Sequence, residues 1–339
     1  MPETSLPSRP VGKTSLCLSV YGFGAAPLGG IYKSLSDAEA AATVEAALAA
    51  GVTYFDVAPF YGMGLAEHRL GTALRKRRAD TMLSTKVGRL LKPVCDLKQE
   101  SMYVDPLDFE VIYDYSYDGV MRSIEDSYQR LGLPAIDIVY IHDVNRKWHG
   151  DQVDQRFSEV MNGGYRALEK LRSAGIIKAI GVGVNDNEIL IRFAEAGDFD
   201  CFMLAGRYTL LEQSPLDELF PLCEQKGISI ISAAPFNSGI LATGAKAGAK
   251  YFYMDAPQDV LDRTRRIEAV CDRHHVPLAA AALQFALGHP VVSSVAAGSS
   301  SPAEVKANVA MTITPIPADF WAELKSEGLI RADTPVYTR

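Results

Sequence analysis

Short runs of apolar and β-branched residues alternate along this chain with longer amphipathic or alanine-rich stretches. Eight runs stand out: Ser19–Gly24, Val52–Asp56, Thr81–Lys86, Ile136–Ile141, Ile177–Val182, Asp200–Leu204, Ile228–Ala233 and Val291–Ala296. Runs of this length read as strands, with room for a helix between each pair, so the order is a repeated βα unit. The first helix carries its own signals. Ser36 and Glu39 have capping-box spacing, the stretch to Ala50 is alanine-rich, and Gly51 suits a left-handed end. Gly132, Gly175 and Gly227 punctuate later segments in the same way. The expected fold is one α/β domain over residues 1–339, a closed (β/α)₈ barrel in preference to an open doubly wound sheet. Such a barrel places functional residues where strands end, and Met203 and Leu204 are expected inside it. Two connections are unusually long, 88–117 and 235–258, as lids, binding loops or small inserted elements are. Residues 1–18, with Gly12, are expected to form a hairpin over the opposite end.

Composition narrows the function. The chain is 48% hydrophobic and 22% charged, enough for a sizeable core and unlike a disordered sequence. A net charge of -7, with basic residues clustered only at 75–78, argues against nucleic acid as a partner. No window approaches the ~20 apolar residues of a membrane helix, and the N-terminus lacks a signal-like apolar core, so no membrane association and a cytoplasmic location are expected. Five widely spaced cysteines fit a reducing compartment and make neither a disulfide framework nor a zinc site. The GxG pieces at Gly22, Gly62 and Gly181 lack the third glycine of a dinucleotide fingerprint, and neither a P-loop nor a GxSxG elbow is present. Oligomeric state is not readable.

The most informative stretch runs from Phe55 through Asp56, Tyr61, Gly62 and Glu67 to Gly71, leaving a strand and entering a helix. Lys86 ends the next strand in LSTK, and His142 ends the one after in VYIH. Singly, each has an ordinary structural use, in packing, capping or solvation. Jointly, at three successive strand ends, they form a chemical set. Hydride exchange at a carbinol carbon needs a group that trades a proton with the substrate oxygen, and a tyrosine does so if its pKa of about 10 is brought down. Lys86 would favour the phenolate of Tyr61, Asp56 would orient Lys86, and His142 would donate to the same oxygen. No metal is required.

The stretch resembles the aldo-keto reductase pattern FDxAxxYGxxExxxG, with one or two extra residues before the glutamate. IGVGVN (180–185), GRYTLLEQ (206–213), AAPFNSGIL (233–241) and AAGSSSPAEVKANV (296–309) extend the resemblance over the chain. It implies Tyr61, Lys86, Asp56 and His142 as the catalytic four and a bound NAD or NADP. It also implies a pyrophosphate site at Phe236, Asn237, Ser238, Gly239 and Leu241, and an adenosine site at Gly298, Ser299, Ser300, Ser301, Glu304 and Asn308. Ser301-Pro302 reads independently as an N-cap with proline at the first helical position, where phosphate is welcome. The sequence departs from the pattern twice. Gly183-Val184 replaces the pair that holds the nicotinamide amide, leaving Asn185 to take over, and Ala233 or Ala234 stands where an aromatic commonly stacks.

Within that family the chain looks most like the aldose 1-dehydrogenases acting on L-fucose, L-galactose or D-threo-aldoses, and their pyridoxal 4-dehydrogenase relatives. The expected reaction is oxidation of an aldose at C1 to the lactone, with Tyr61 as base. The alternatives are pyridoxal oxidation, general aldehyde or ketone reduction, and a nicotinamide-binding regulatory subunit. Tyr32, Trp148, His149 and Asn237 are candidates for substrate contact. NAD is expected over NADP, because Gly298 and Glu304 stand where NADP sites usually carry basic residues. His274 and His275, before Pro277, are expected to close a helix.

Overall fold

The computed structural model describes residues 6–31, 33–95 and 102–337. Eight parallel strands close into a barrel in chain order: β1 (Tyr21–Gly24), β2 (Tyr54–Asp56), β3 (Met82–Val87), β4 (Ile138–His142), β5 (Ala179–Val184), β6 (Cys201–Ala205), β7 (Ser229–Ala233) and β8 (Val292–Gly298). β8 pairs back onto β1, Val295 opposite Tyr21, so no edge is left open. Each strand falls in one of the apolar runs, its ends displaced by two residues at most.

Helices cover the outside because their apolar faces have only the barrel to bury against. The first, Asp37–Ala49, has the full capping box: the Glu39 N–H donates to Ser36 Oγ, and the Ser36 N–H donates back to the Glu39 carboxylate. The strands alternate between outer and inner faces. On β6, Cys201 and Met203 belong to the inner cluster, whereas Phe202 and Leu204 pack outward against the helices. Leu204 is therefore not inside the barrel, since a two-residue period cannot place it beside Met203 on one face.

An antiparallel hairpin, Ser8–Pro10 with Cys17–Ser19, closes the N-terminal end. Val11, Leu16 and Leu18 are fully buried among inward residues such as Tyr54, Ile138, Tyr140 and Ile231. The two long connections are also hairpins at heart. Arg89–Pro93 pairs with Phe109–Tyr113 after β3, and Lys250–Tyr251 pairs with Met254–Asp255 after β7. Helix Gln258–His274 ends at His275 in the left-handed conformation, and His274 pairs with Glu323 of a neighbouring helix. No helix among the described residues is long and apolar enough to cross a membrane.

Candidate active site

All four of the residues singled out at strand ends meet at the C-terminal mouth of the barrel. β2 delivers Asp56 as its last residue, and the chain then turns sharply before helix Leu65–Leu74. Gly62 makes this turn possible. Its φ is 63°, and a Cβ there would stand 2.5 Å from the Gly29 carbonyl oxygen. The close approach of two glycine backbones fixes the loop that carries Tyr61.

Lys86 is 2% exposed and donates from Nζ to Asp56 Oδ2 (2.6 Å) and to the Val57 carbonyl (3.0 Å). Asp56 accepts at Oδ1 from Ser84 Oγ (2.7 Å), so both carboxylate oxygens are satisfied and the ammonium is aimed. Nζ lies 4.7 Å from the centre of the Tyr61 ring, and the His142 ring meets the Tyr61 ring edge-on at 6.2 Å between centres. Burial pushes the Lys86 pKa down and that of Asp56 up, each opposed by the charge of its partner. Burial, with the charges of Asp56 and Asp143, holds the Tyr61 phenol well above its ordinary value. His142 is pushed well below the usual imidazole range by burial and by the cations Arg89 and Lys86, so its ring is neutral. Its Nδ1 is buried without a partner.

Beside this group lies a second charged pair that sequence reasoning passed over. Arg89, 1% exposed, has its guanidinium between the rings of Phe60 (4.1 Å) and Trp148 (4.4 Å) and donates to Asp143 Oδ2 at 2.6 Å. Asp143 Oδ2 is 3.4 Å from His142 Nε2. The Asp143 backbone has φ 53°, a conformation seldom adopted by residues other than glycine. It is pinned from behind. Its N–H donates to the Gly183 carbonyl, and Tyr115 Oη donates to the His142 carbonyl. His149 hydrogen-bonds both Tyr115 Oη and the Asp143 backbone.

These residues open on a cavity of about 620 Å³, whose wall includes Asp56, Tyr61, Lys86, His142 and Asp143. Its floor is built of small side chains, Gly183, Ala205, Ala233 and Ala296, with Met203. Of the expected cofactor residues, Phe236, Ser238, Gly239, Gly298, Ser300 and Glu304 are on the wall. The others are not. Asn237 is buried, accepting from Thr209 Oγ1 and donating to the Gly206 carbonyl, and does not line the cavity. Leu241 is a core residue. Ser299 is buried against Tyr21 and Asn308, and Ser301 caps helix Pro302–Ile313; Ser299, Ser301 and Asn308 do not line the cavity. Asn185 spends its Oδ1 on Asn145 and stands off the wall.

The substrate candidates fare similarly. Trp148 packs on Phe60 and Arg89, and His149 is buried behind Asp143, and neither lines the cavity. Tyr32 lies outside the described residues. Wall residues not singled out by the sequence reading include Ala26, Pro27, Ile31, Lys33, Asp143, Pro235 and Tyr253. Only Asp143 carried a signal, its place directly after His142. Glu304 departs slightly from a capping box: its N–H donates to Ser301 Oγ, but its carboxylate accepts from the N–H of Ser300.

The family model of the aldo/keto reductases matches residues 21–327. The chain belongs to this family. Among curated relatives of this aldo/keto reductase, pyridoxal 4-dehydrogenase of Microbacterium luteolum is 45% identical, over 95% of this chain and 97% of the relative. D-threo-aldose 1-dehydrogenase of a Pseudomonas species is 41% identical, over 93% and 95%. L-galactose dehydrogenase of Arabidopsis thaliana is 30% identical, over 91% and 88%. A solved aldo-keto reductase of Bacillus halodurans in its holo form superposes with a TM-score of 0.76 at 26% identity, covering 98% of this chain and 99% of the other. The fold and the enzyme class, an oxidoreductase using a nicotinamide cofactor, follow. The wall has room for such a group. Gly239 has nothing within 4 Å of where a Cβ would stand, and the floor is of small residues.

Proposed function

We propose that this aldo/keto reductase oxidises an aldose of the L-fucose, L-galactose or D-arabinose type at C1, giving the lactone. The observation that carries the reading is the convergence of Tyr61, the Lys86–Asp56 pair and a neutral His142 on the wall of one cavity. Bound nicotinamide dinucleotide supplies the acceptor for the C1 hydride. Tyr61 takes the proton of the anomeric hydroxyl, and the Lys86 ammonium stabilises the phenolate character that this requires. His142, neutral, offers a hydrogen bond to the same oxygen without competing for its proton. Asp56 keeps Lys86 in place and satisfied, as a buried cation demands. Because the phenol rests protonated in the unliganded chain, oxidation accelerates towards alkaline pH and the reverse reduction slows.

The small floor residues and Phe236, Ser238 and Gly239 serve the nicotinamide and pyrophosphate, and Gly298, Ser300 and Glu304 the adenosine end. NAD is the preferred dinucleotide on this reading, since the Glu304 carboxylate lines the wall and repels a 2'-phosphate. A second reading has specific support in the 45% identity to a pyridoxal 4-dehydrogenase. Pyridoxal carries an aldehyde beside a hydroxymethyl arm and closes to a hemiacetal, so the same proton and hydride steps apply to it. The test is a panel of these aldoses, pyridoxal and simple aldehydes with both dinucleotides, followed by the absorbance of reduced cofactor. The aldoses are expected to give the highest kcat/KM. Values higher by orders of magnitude for pyridoxal replace the first reading with the second, and for simple aldehydes with general reduction. Tight cofactor binding with negligible turnover of all of them points to a binding subunit.

A further inference from the structure

We propose that the Asp143 carboxylate, held on buried Arg89, selects substrates that carry a hydroxyl on the carbon next to the reacting one. The inference rests on the reading of the site as an aldose dehydrogenase. Asp143 lines the cavity with its side chain 18% exposed, and its Oδ2 lies 3.4 Å from His142 Nε2. That separation is comparable to the spacing of oxygens on neighbouring carbons. A substrate oxygen held by His142 thus brings the adjacent hydroxyl to Asp143, and an ionised carboxylate only accepts hydrogen bonds.

The surrounding structure is costly for anything but a fixed function. The guanidinium is almost wholly removed from water, its Nε and one Nη unpartnered, and is compensated by the rings of Phe60, Trp148 and Tyr113 and this one carboxylate. Asp143 sits at φ 53° and is kept there by backbone hydrogen bonds, including those of the Tyr115–His149 pair. A negative charge at this point also works against proton removal, because it raises the Tyr61 pKa, while Arg89 lowers it. Arg89 therefore offsets part of the harm of a carboxylate that the proton transfer does not need. Recognition of a hydroxyl gives that carboxylate a use. Arg89 is a positioning residue in this scheme, since Asp143 stands between it and the cavity.

The test compares D-arabinose with 2-deoxy-D-ribose, the pentose that differs from it only by the missing C2 hydroxyl. Kinetics are read on the wild type and on Asp143→Gly, which accepts the positive φ, with cofactor Kd from tryptophan fluorescence as a check on folding. The wild type is expected to favour D-arabinose in kcat/KM by about 10- to 100-fold, the worth of a hydrogen bond to a charged group. In Asp143→Gly that ratio collapses towards 1, mainly through KM, and cofactor Kd stays within about twofold, a change too small for the loss of a charged hydrogen bond. Arg89→Met is expected to lower the ratio likewise, and Arg89→Lys to restore part of it. A ratio unchanged by Asp143→Gly in an active enzyme overturns the inference and leaves the dehydrogenase reading standing. Equal losses on both sugars assign Asp143 to proton transfer or structure and also overturn it. A wild type that oxidises neither sugar overturns both.

Discussion

The two ends of the barrel bury charge in different ways. At the N-terminal end, Asp137 accepts from Arg78, Lys178 and the Leu83 N–H, and Asp200 accepts from Arg172 and the Ile180 N–H. These carboxylates staple one strand to the next, and their cations keep partial contact with water, Lys178 being half exposed. At the C-terminal end the cations themselves are sealed in, Lys86 at 2% and Arg89 at 1% exposure. Unpartnered polar atoms occur there at Arg89 and His142. Backbone strain follows the same division. Among the described residues, every non-glycine with positive φ except His275 lies in a connection that follows a strand's C-terminal end. One end spends its charge on stability, and the other keeps charge and strain turned towards a cavity.

Substitutions at the two ends should therefore separate activity from stability. The largest effect is expected at the mouth. Tyr61→Phe should lower kcat by at least about 10²-fold with little change in melting temperature, and Lys86→Met should move the alkaline limb of the oxidation profile upward. Wild-type turnover in the first, or a stationary limb in the second, removes those roles. At the closed end, Asp200→Ala should cost on the order of 3 kcal/mol of stability in denaturant unfolding, with kcat of the folded enzyme unchanged. Equal damage to kcat would erase the contrast.

Each end also buries a histidine, His149 behind the mouth and His289 against Tyr208 and Phe220, and burial lowers both to about 4. Such a group is neutral when folded but binds a proton below about 6.5 when unfolded. Stability is thus complete above that pH, falls as pH drops towards 4, and then levels, with a slope of up to about 1.4 kcal/mol per unit for each ring. His289→Gln should flatten this decline without altering activity at neutral pH, as urea unfolding from pH 7 to 4 would reveal. The smallest effect is expected at the adenosine end. Glu304→Arg should improve kcat/KM for NADP relative to NAD by about tenfold, the worth of one added ion pair with the 2'-phosphate, and no improvement would remove Glu304 as the cause of the preference.

The contrast also marks how far the sequence can be read. Strands were legible because the apolar runs are short and locally bounded, and the first helix because Ser36 and Glu39 are three residues apart. The motif around Tyr61 holds two kinds of information. Asp56 and Tyr61 face the cavity, whereas Glu67 is fully buried and bonds Thr85 and Arg130, tying its helix to the barrel and to the next helix. Asn237 and Leu241 lie in the right segment, but Asn237 at φ 44° turns its amide inward, and neither fact shows in a residue type. The Arg89–Asp143 pair joins positions 54 apart through a hairpin, and no local period records such a meeting. Trp148 and His149 have the composition of contact residues and the placement of supports.

The hairpin of residues 8–19 has one more consequence, for traffic. By plugging the barrel's far end with Val11, Leu16 and Leu18, it turns the interior into a blind well with the reacting residues on its wall. Two molecules that share one doorway must queue: whichever settles deeper enters first and leaves last. Product inhibition patterns should carry that signature, with the sugar product departing while the dinucleotide still occupies the well.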